Sequence, residues 1–317
     1  MKIVVLDGYC FNPGDLDWSF LSEFGEYTIY DRTPDSLVIE RARNADVVAL
    51  NKTPVTREML DSLPNLKAIF VLATGYNVVD TVACRERNIP VANIPSYSTD
   101  AVAQLVFAFI LQFCNNVSAH SQSVHSGGWT ACPDFSYTVS PLAELRGKTL
   151  GIIGYGTIGR QVAKIGKAFN MNVLATSRSN TSGSDDIARF TSRDEIIEKS
   201  DFLTIHTPLT DDTRAMVNED FLRRMKTTAY LINTSRGPVV EESALRYALD
   251  NGIISGAAVD VLSKEPASAD NPLIGAKNCL ITPHIAWAPL ETRKRLMDIF
   301  TENLRAYRDG RTLNVVN

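Results

Sequence analysis

Residues 149–168 place the strongest local constraint on what this chain can fold into. An apolar run at 150–153 leads directly into Gly154-Tyr155-Gly156-Thr157-Ile158-Gly159, and a helical run, VAKIGKAF, follows. Gly-x-Gly-x-x-Gly alone recurs by chance, but between a strand and a helix it has a mechanism. Gly154 permits a tight turn, Gly156 lets the backbone approach a pyrophosphate, and Gly159 lets the helix pack close to the strand. The helix N-terminus, with Thr157 and Ile158 in its first turn, offers free N–H groups and a positive dipole end to phosphates. The bland alternative is a glycine-rich turn that binds nothing.

The rest of the chain repeats this strand-and-helix alternation. Downstream, short apolar runs at 150–153, 173–176, 202–205, 230–233, 257–261 and 279–281 predict six strands with helices between them. Upstream, runs at 3–6, 28–30, 47–50, 68–71 and 91–93 alternate with amphipathic stretches at 36–43 and 57–62. Such alternation implies βαβ units and parallel sheets. A chain of 317 residues is long enough for about two domains. The expected fold class is therefore α/β, with two doubly wound parallel sheets. Between the two series lies AVAQLVFAFILQF, too long for a strand, which predicts one buried helix from 100 to about 125. A polar loop with scattered aromatics, SGGWTACPDFSYTVSP, follows it. A helix apolar on most faces is covered by a core or by a second subunit. The expectation is a two-fold homodimer formed through residues 100–140. A last helix is expected over 291–308.

Composition excludes several classes. Acidic residues outnumber basic ones, 36 to 32, which gives no cationic surface for a phosphate backbone, so no nucleic-acid partner is expected. No run of about 18 apolar residues occurs, so no membrane partner is expected either. The five cysteines form no C-x-x-C and the four histidines no H-x-x-x-H, so neither a metal site nor a disulfide framework is expected. This usage suits a reduced, cytoplasmic protein.

The second strand of the downstream series should end in an acid if a ribose 2′-hydroxyl is bound there. It runs instead into Ser177-Arg178-Ser179. Ser177 and Arg178 together suit a 2′-phosphate, because a guanidinium matches phosphate geometry. This favours NADP(H) and leaves NAD(H) open; Arg178 stacked on adenine or simply solvated is the alternative. Three further polar residues follow strands of the same series: Arg236 in NTSRGPVV, Glu265 in DVLSKEP and His284 in TPHIAW. Ligands bind at the carboxyl edge of such sheets, so residues distant in sequence can converge there. Singly, each has an ordinary structural reading. Together they supply what carbonyl reduction needs: a His that carries a proton near neutral pH, a carboxylate that keeps it charged, and an Arg that grips an anionic substrate.

With these residues in view, the chain resembles the D-isomer-specific 2-hydroxyacid dehydrogenases over nearly its whole length. LATGYNVVD, GIIGYGTIGR, HTPLT, LINTSRGPVV, AAVDVLSKEP and TPHIAW carry the likeness, in that order. NKTPVT, DFSY and HIAWAP carry a narrower likeness to the glycerate dehydrogenase and hydroxypyruvate reductase branch. The resemblance implies flavodoxin-like and Rossmann-like domains with a cleft between them. A discontinuous substrate domain would comprise 1–98 and 286–317, and a dinucleotide-binding domain 99–285. It also implies that Arg236 binds the substrate carboxylate and carbonyl, that His284 is the acid/base, and that Glu265 pairs with it. Asp260 matches the residue that holds the nicotinamide carboxamide. His206, Pro208 and Thr234 match cofactor-lining positions. Thr74 and Gly75 lie in the loop whose N–H groups meet the substrate carboxylate, Lys52 adds positive charge, and Trp287 narrows the pocket towards small acids. The implied reaction is hydride transfer between NAD(P)H and C2 of a small 2-oxoacid, hydroxypyruvate or glyoxylate. Two alternatives stand beside it: another 2-hydroxyacid such as phosphoglycerate, or formate or phosphite, and a dinucleotide-sensing module like the corepressors that share this fold.

Overall fold

Short strands buried on both faces read as unbroken apolar runs, and both halves of the chain are built on them. The computed structural model describes residues 1–179 and 181–317. By contact density these form two units, Met1–Ser98 with Ala288–Asn317, and Thr99–Trp287. The second boundary, expected at 285/286, falls at Trp287/Ala288.

The first unit opens with β1 (Lys2–Val5), β2 (Glu26–Ile29), α1 (Val38–Ala42), β3 (Val47–Leu50), α2 (Arg57–Asp61), β4 (Ala68–Val71), α3 (Thr81–Glu86) and β5 (Val91–Ala92). All neighbouring strands are parallel, in the order β2-β1-β3-β4-β5. VVAL of β3 and AIFV of β4 are buried throughout. Caps start the short helices: the Thr56 hydroxyl accepts from Met59 N and the Asp80 carboxylate from Ala83 N.

The second unit runs α4 (Thr99–Asn115), α5 (Val117–His125), β6 (Thr149–Ile153), α6 (Thr157–Ala168), β7 (Asn172–Thr176), β8 (Gly183–Ser184), β9 (Arg189–Phe190), α7 (Arg193–Lys199) and β10 (Phe202–Ile205). It continues through α8 (Glu219–Arg224), β11 (Tyr230–Asn233), α9 (Glu242–Asp250), β12 (Gly256–Val259) and β13 (Cys279–Ile281). Its sheet has the order β13-β12-β11-β10-β6-β7-β9-β8. The strand order reverses between β6 and β10, the switch point where a ligand crevice opens. All pairs are parallel except β8–β9. This two-residue hairpin went unforeseen because Gly183-Ser184 has no apolar signature. The last helix, α10 (Leu290–Arg308), returns to the first unit, where Leu296, Phe300 and Leu304 are fully buried. Its Phe300 ring meets Phe70 at 5.6 Å and Phe20 at 6.0 Å.

The single helix expected over 100–125 is two. Asn116 adopts φ 43°, ψ 47°, and the axes of α4 and α5 differ by 51°. Asn tolerates the left-handed region, and the polar SAHSQS beyond it offers no apolar face to extend α4. Eight residues of α4 are buried, among them Val106, Phe107 and Ile110, whereas none of α5 is. Among the described residues no single helix is long and apolar enough to cross a membrane.

Candidate active site

β6 ends at Ile153, and Gly154 turns the chain at φ +103°. A Cβ there would sit 2.6 Å from the carbonyl carbon and oxygen of His206, so β6 and the end of β10 approach only because the side chain is missing. A Cβ on Gly159 would stand 2.2 Å from the Gly154 oxygen. Both glycines are demanded by internal packing. Gly156 is different. It caps α6 without a side-chain hydrogen bond, its backbone is extended, and a Cβ there would meet nothing within 4 Å. The space it leaves is open, next to Thr157 and Ile158, whose N–H groups lie in the first helical turn, where no intrahelical acceptor exists.

Two more observations mark this edge as built for a polar ligand. The hydroxyls of Thr207, just beyond β10, and Thr234, just beyond β11, are buried with no hydrogen-bond partner among the described residues. Buried hydroxyls are normally satisfied, and Thr207 was not anticipated. His206 keeps its ring in surroundings that desolvate it, which pushes its pKa down to about 3, and its Nε2 lies 3.0 Å from the Thr204 hydroxyl. The ring is thus neutral near pH 7. The Pro208 carbonyl accepts from the Thr213 hydroxyl at 2.7 Å. Beyond β7, Ser177 is half-buried with its hydroxyl 3.3 Å from that of Ser179, and Arg178 is exposed. These donors fit a dinucleotide: N–H groups of the α6 turn for the pyrophosphate, orphaned hydroxyls along the edge, and no acid at the end of β7.

The next three loops along the same edge carry the predicted trio. Asn233, fully buried at the end of β11, ties its turn with three bonds: its Oδ1 accepts from Ser235 N (3.0 Å) and Ser235 Oγ (2.8 Å), and its Nδ2 donates to the Arg236 carbonyl (2.9 Å). Arg236 forms no ion pair among the described residues; one guanidinium nitrogen donates to the Ser235 carbonyl. At the adjoining Gly237 a Cβ would fall 1.9 Å from the Leu262 carbonyl carbon. That close contact seats the Arg236 turn against the loop leading to Glu265. Glu265 accepts from Leu262 N at 3.1 Å through Oε1, and its Oε2 lies 2.6 Å from His284 Nδ1. Residues 19 apart in sequence thus form one charge-compatible pair.

His284 stands at φ +54°, a conformation that a non-glycine residue holds only when its surroundings insist. Asp260, 1% exposed, supplies the insistence. Its Oδ1 accepts from the Thr282 hydroxyl (2.6 Å) and Ile285 N (2.8 Å), and its Oδ2 from Ala286 N (2.9 Å). The carboxylate therefore straps the loop on both sides of His284. A carboxylate offers about four acceptor positions, so one remains for a further donor. Trp287, half-buried, closes this unit.

In the first unit Lys52 follows β3, and Thr74 and Gly75 follow β4. Here sequence reasoning missed Asp7. This buried carboxylate, just past β1, accepts from the backbone N–H groups of Asn51 (2.7 Å), Lys52 (2.6 Å) and Thr53 (2.8 Å). It shapes the turn that carries Lys52.

A doubly wound sheet with this glycine turn, orphaned hydroxyls, a His–Glu pair and, on a loop of the same edge, an Arg with no ion pair among the described residues defines a dinucleotide-dependent oxidoreductase of α/β class. The family described as D-isomer specific 2-hydroxyacid dehydrogenase, NAD binding domain, matches residues 107–286, and the chain belongs to that family. It is 49% identical to a hydroxypyruvate reductase of Blautia hydrogenotrophica, over 100% of both chains. It is 37% identical to a glycerate dehydrogenase of Methylorubrum extorquens, over 99% of this chain and 98% of that one. Among solved structures, an acyclic imino acid reductase in complex with NADPH and D-Arg superposes with a TM-score of 0.88 at 31% identity, covering 100% of each chain.

Proposed function

We propose that the protein reduces hydroxypyruvate or glyoxylate with NAD(P)H, yielding D-glycerate or glycolate. The His284–Glu265 pair carries this reading, supported by the similarity to a hydroxypyruvate reductase and a glycerate dehydrogenase. The dinucleotide, when bound, supplies the hydride for C2 of the oxoacid. The chain's own residues do the rest. Glu265 accepts a hydrogen bond from His284 Nδ1–H, which fixes the tautomer and leaves Nε2 to give its proton to the carbonyl oxygen. Arg236, always charged and with no ion pair among the described residues, grips the substrate carboxylate and stabilises negative charge growing on that oxygen. Thr74, Gly75 and Lys52 are proposed as further contacts of the substrate carboxylate, and Trp287 as the residue that favours small acids. Asp260 holds the His284 loop and keeps one acceptor position for the nicotinamide amide. Gly156, Thr157, Ile158 and Gly159 receive the pyrophosphate, and His206, Pro208, Thr207 and Thr234 line the remainder. The test is turnover of hydroxypyruvate and glyoxylate by the purified protein and by His284→Ala. The variant should lose about 10²- to 10⁴-fold in kcat; turnover within threefold of the parent would refute the assignment.

The cofactor is proposed to be NADP(H) in preference to NAD(H), because β7 ends without an acid and Arg178 is exposed beside Ser177. Arg178→Ala should weaken NADPH more than NADH, and equal losses would overturn the preference. The working form is proposed to be a cytoplasmic homodimer. Phe135 is 91% exposed, and Val117, Trp129, Val139 and Leu142 are exposed with it, an apolar surface that a second copy would cover. A monomer in sedimentation at micromolar concentration would contradict the pairing, and recovery outside the cytoplasmic fraction of the source cell the location.

A further inference from the structure

Behind the Thr74 loop lies a polar chain with no part in the chemistry described above. The Thr74 carbonyl accepts from Asn93 Nδ2 at 2.8 Å, the Thr74 hydroxyl donates to the Ile94 carbonyl at 2.9 Å, and Ile94 N donates to the Ala73 carbonyl at 3.0 Å. The exposed loop is thus clasped to the segment after β5 by three bonds. That segment is anchored in turn. The Asn93 carbonyl accepts from Asn303 Nδ2 at 2.9 Å, Asn93 N donates to the Asn314 carbonyl at 3.0 Å, and Asn314 Nδ2 donates to Asn303 Oδ1 at 2.8 Å. Asn93 is 8% exposed and Asn303, in the middle of α10, is 2% exposed.

We propose that Asn93 is a positioning residue for substrate binding, and that Asn303 and Asn314 brace it. The inference rests on the reading that the N–H groups of Thr74 and Gly75 meet the substrate carboxylate. Backbone N–H groups have no rotamers of their own, so only the placement of the loop aims them. Thr74 is exposed, and its own β4 strand ends three residues earlier, at Val71. The Asn93 amide therefore grips the loop at the residue that must point. An apolar side chain at 93 would keep the volume and lose the grip. The brace also ties the aim of the loop to the end of the chain, since Asn314 lies beyond α10.

Loop N–H groups that hold a carboxylate do so in the ground state and the transition state alike. Their loss raises KM and spares kcat. The experiment compares Asn93→Ser and Asn303→Ser, small polar replacements that admit a water, with Leu304→Ala. Leu304 is fully buried on the same helix and outside the polar chain. Steady-state kinetics with hydroxypyruvate at saturating dinucleotide, dinucleotide Kd and Tm are measured for each. Asn93→Ser should raise KM about tenfold, the scale of one hydrogen bond to a charged group. It should leave kcat within about twofold and Kd unmoved. Asn303→Ser should show part of the same rise. Leu304→Ala should lower Tm and leave KM where it was. An unchanged KM in both serine variants, or an equal rise in Leu304→Ala, would overturn the proposal. If Asn93→Ser does not accumulate as folded protein, Asn303→Ser decides by the same criterion. A parent protein that turns over neither hydroxypyruvate nor glyoxylate overturns the functional reading itself. An active parent with unmoved variants overturns only the strut.

Discussion

Asp260→Asn is the perturbation that probes the site most directly. The amide has the shape of the carboxylate, but one of its two arms can only donate. The native side chain accepts three bonds, two on Oδ1 and one on Oδ2. The best orientation keeps the amide oxygen towards Thr282 and Ile285, and so sets an NH₂ against Ala286 N–H. One charge-assisted bond is lost and a buried donor is left unsatisfied, a cost of about 1.5–3 kcal/mol. Part of this is offset. Burial pushes the Asp260 carboxyl above the usual carboxylate range, so its ionised form carries a desolvation penalty that a neutral amide escapes. The net loss is about 1–3 kcal/mol, or roughly 2–12 °C in Tm for a unit of this size. The strap also holds His284 at φ +54°. Once it loosens, the backbone relaxes and the imidazole moves; a displacement of about 1 Å suffices for a 10²-fold loss. The expected result is a kcat lower by about 10- to 100-fold, together with weaker dinucleotide binding, because the NH₂ also replaces the acceptor position proposed for the nicotinamide amide. Differential scanning fluorimetry and steady-state kinetics on parent, Asp260→Asn, Thr282→Val and the double variant would show it. The first two bonds should couple in the cycle, because Thr282 loses its donor to the same oxygen. The sign of the pH dependence follows from the raised carboxyl. The folded state holds this proton to higher pH than the unfolded state, so Asp260 favours folding on the acid side and loses that advantage as pH rises through the window. Parent and variant should therefore differ least in stability above it. Unchanged kcat and Tm with a large loss of dinucleotide affinity would refute the strap and leave the carboxylate with the cofactor alone.

Other expectations follow from the same geometry. Gly156→Val places a side chain in open space on an extended backbone, so Tm should hold while dinucleotide affinity falls at least about tenfold; unchanged affinity in titration would show that no phosphate lies there. His206 titrates near 3 when folded and near its ordinary 6.5 when unfolded, so between these values the unfolded chain binds the extra proton. Stability should fall as pH drops through that window, by about 1.4 kcal/mol per unit from this group. His206→Gln should flatten that slope in urea melts between pH 4 and 7, and parallel slopes would mean the ring is protonated in the fold.

Much of this protein is written in local pattern. The strands β3 and β4 are four apolar residues each, and β10 and β11 are apolar but for Thr204 and Asn233, the kind of run that a strand buried on both faces favours. The glycine turn is equally legible, because φ +103° at Gly154 and the contact at Gly159 each exclude a side chain whatever surrounds them. Arg236, Glu265 and His284 could be singled out as candidates because parallel topology delivers every βα loop to one edge. Local pattern failed where a residue's role depends on partners far along the chain. The expected helix runs through Asn116, and it breaks there because Asn takes the left-handed conformation and α5 has no core to cover. Asp7, Asn233 and Asn93 look like ordinary turn residues, as turn-favouring side chains do. Their roles arise because the fold buries them against specific N–H and C=O groups, in the case of Asn93 and Asn303 across 210 residues. Asp260 is the clearest case. The chain shows an acid after a strand, but three donors from a loop 22 to 26 residues away make it the brace of His284. Sequence sets which backbone each segment can adopt; which buried polar group satisfies which is decided only when the segments pack, since an unpaired polar group costs free energy only once water has been excluded.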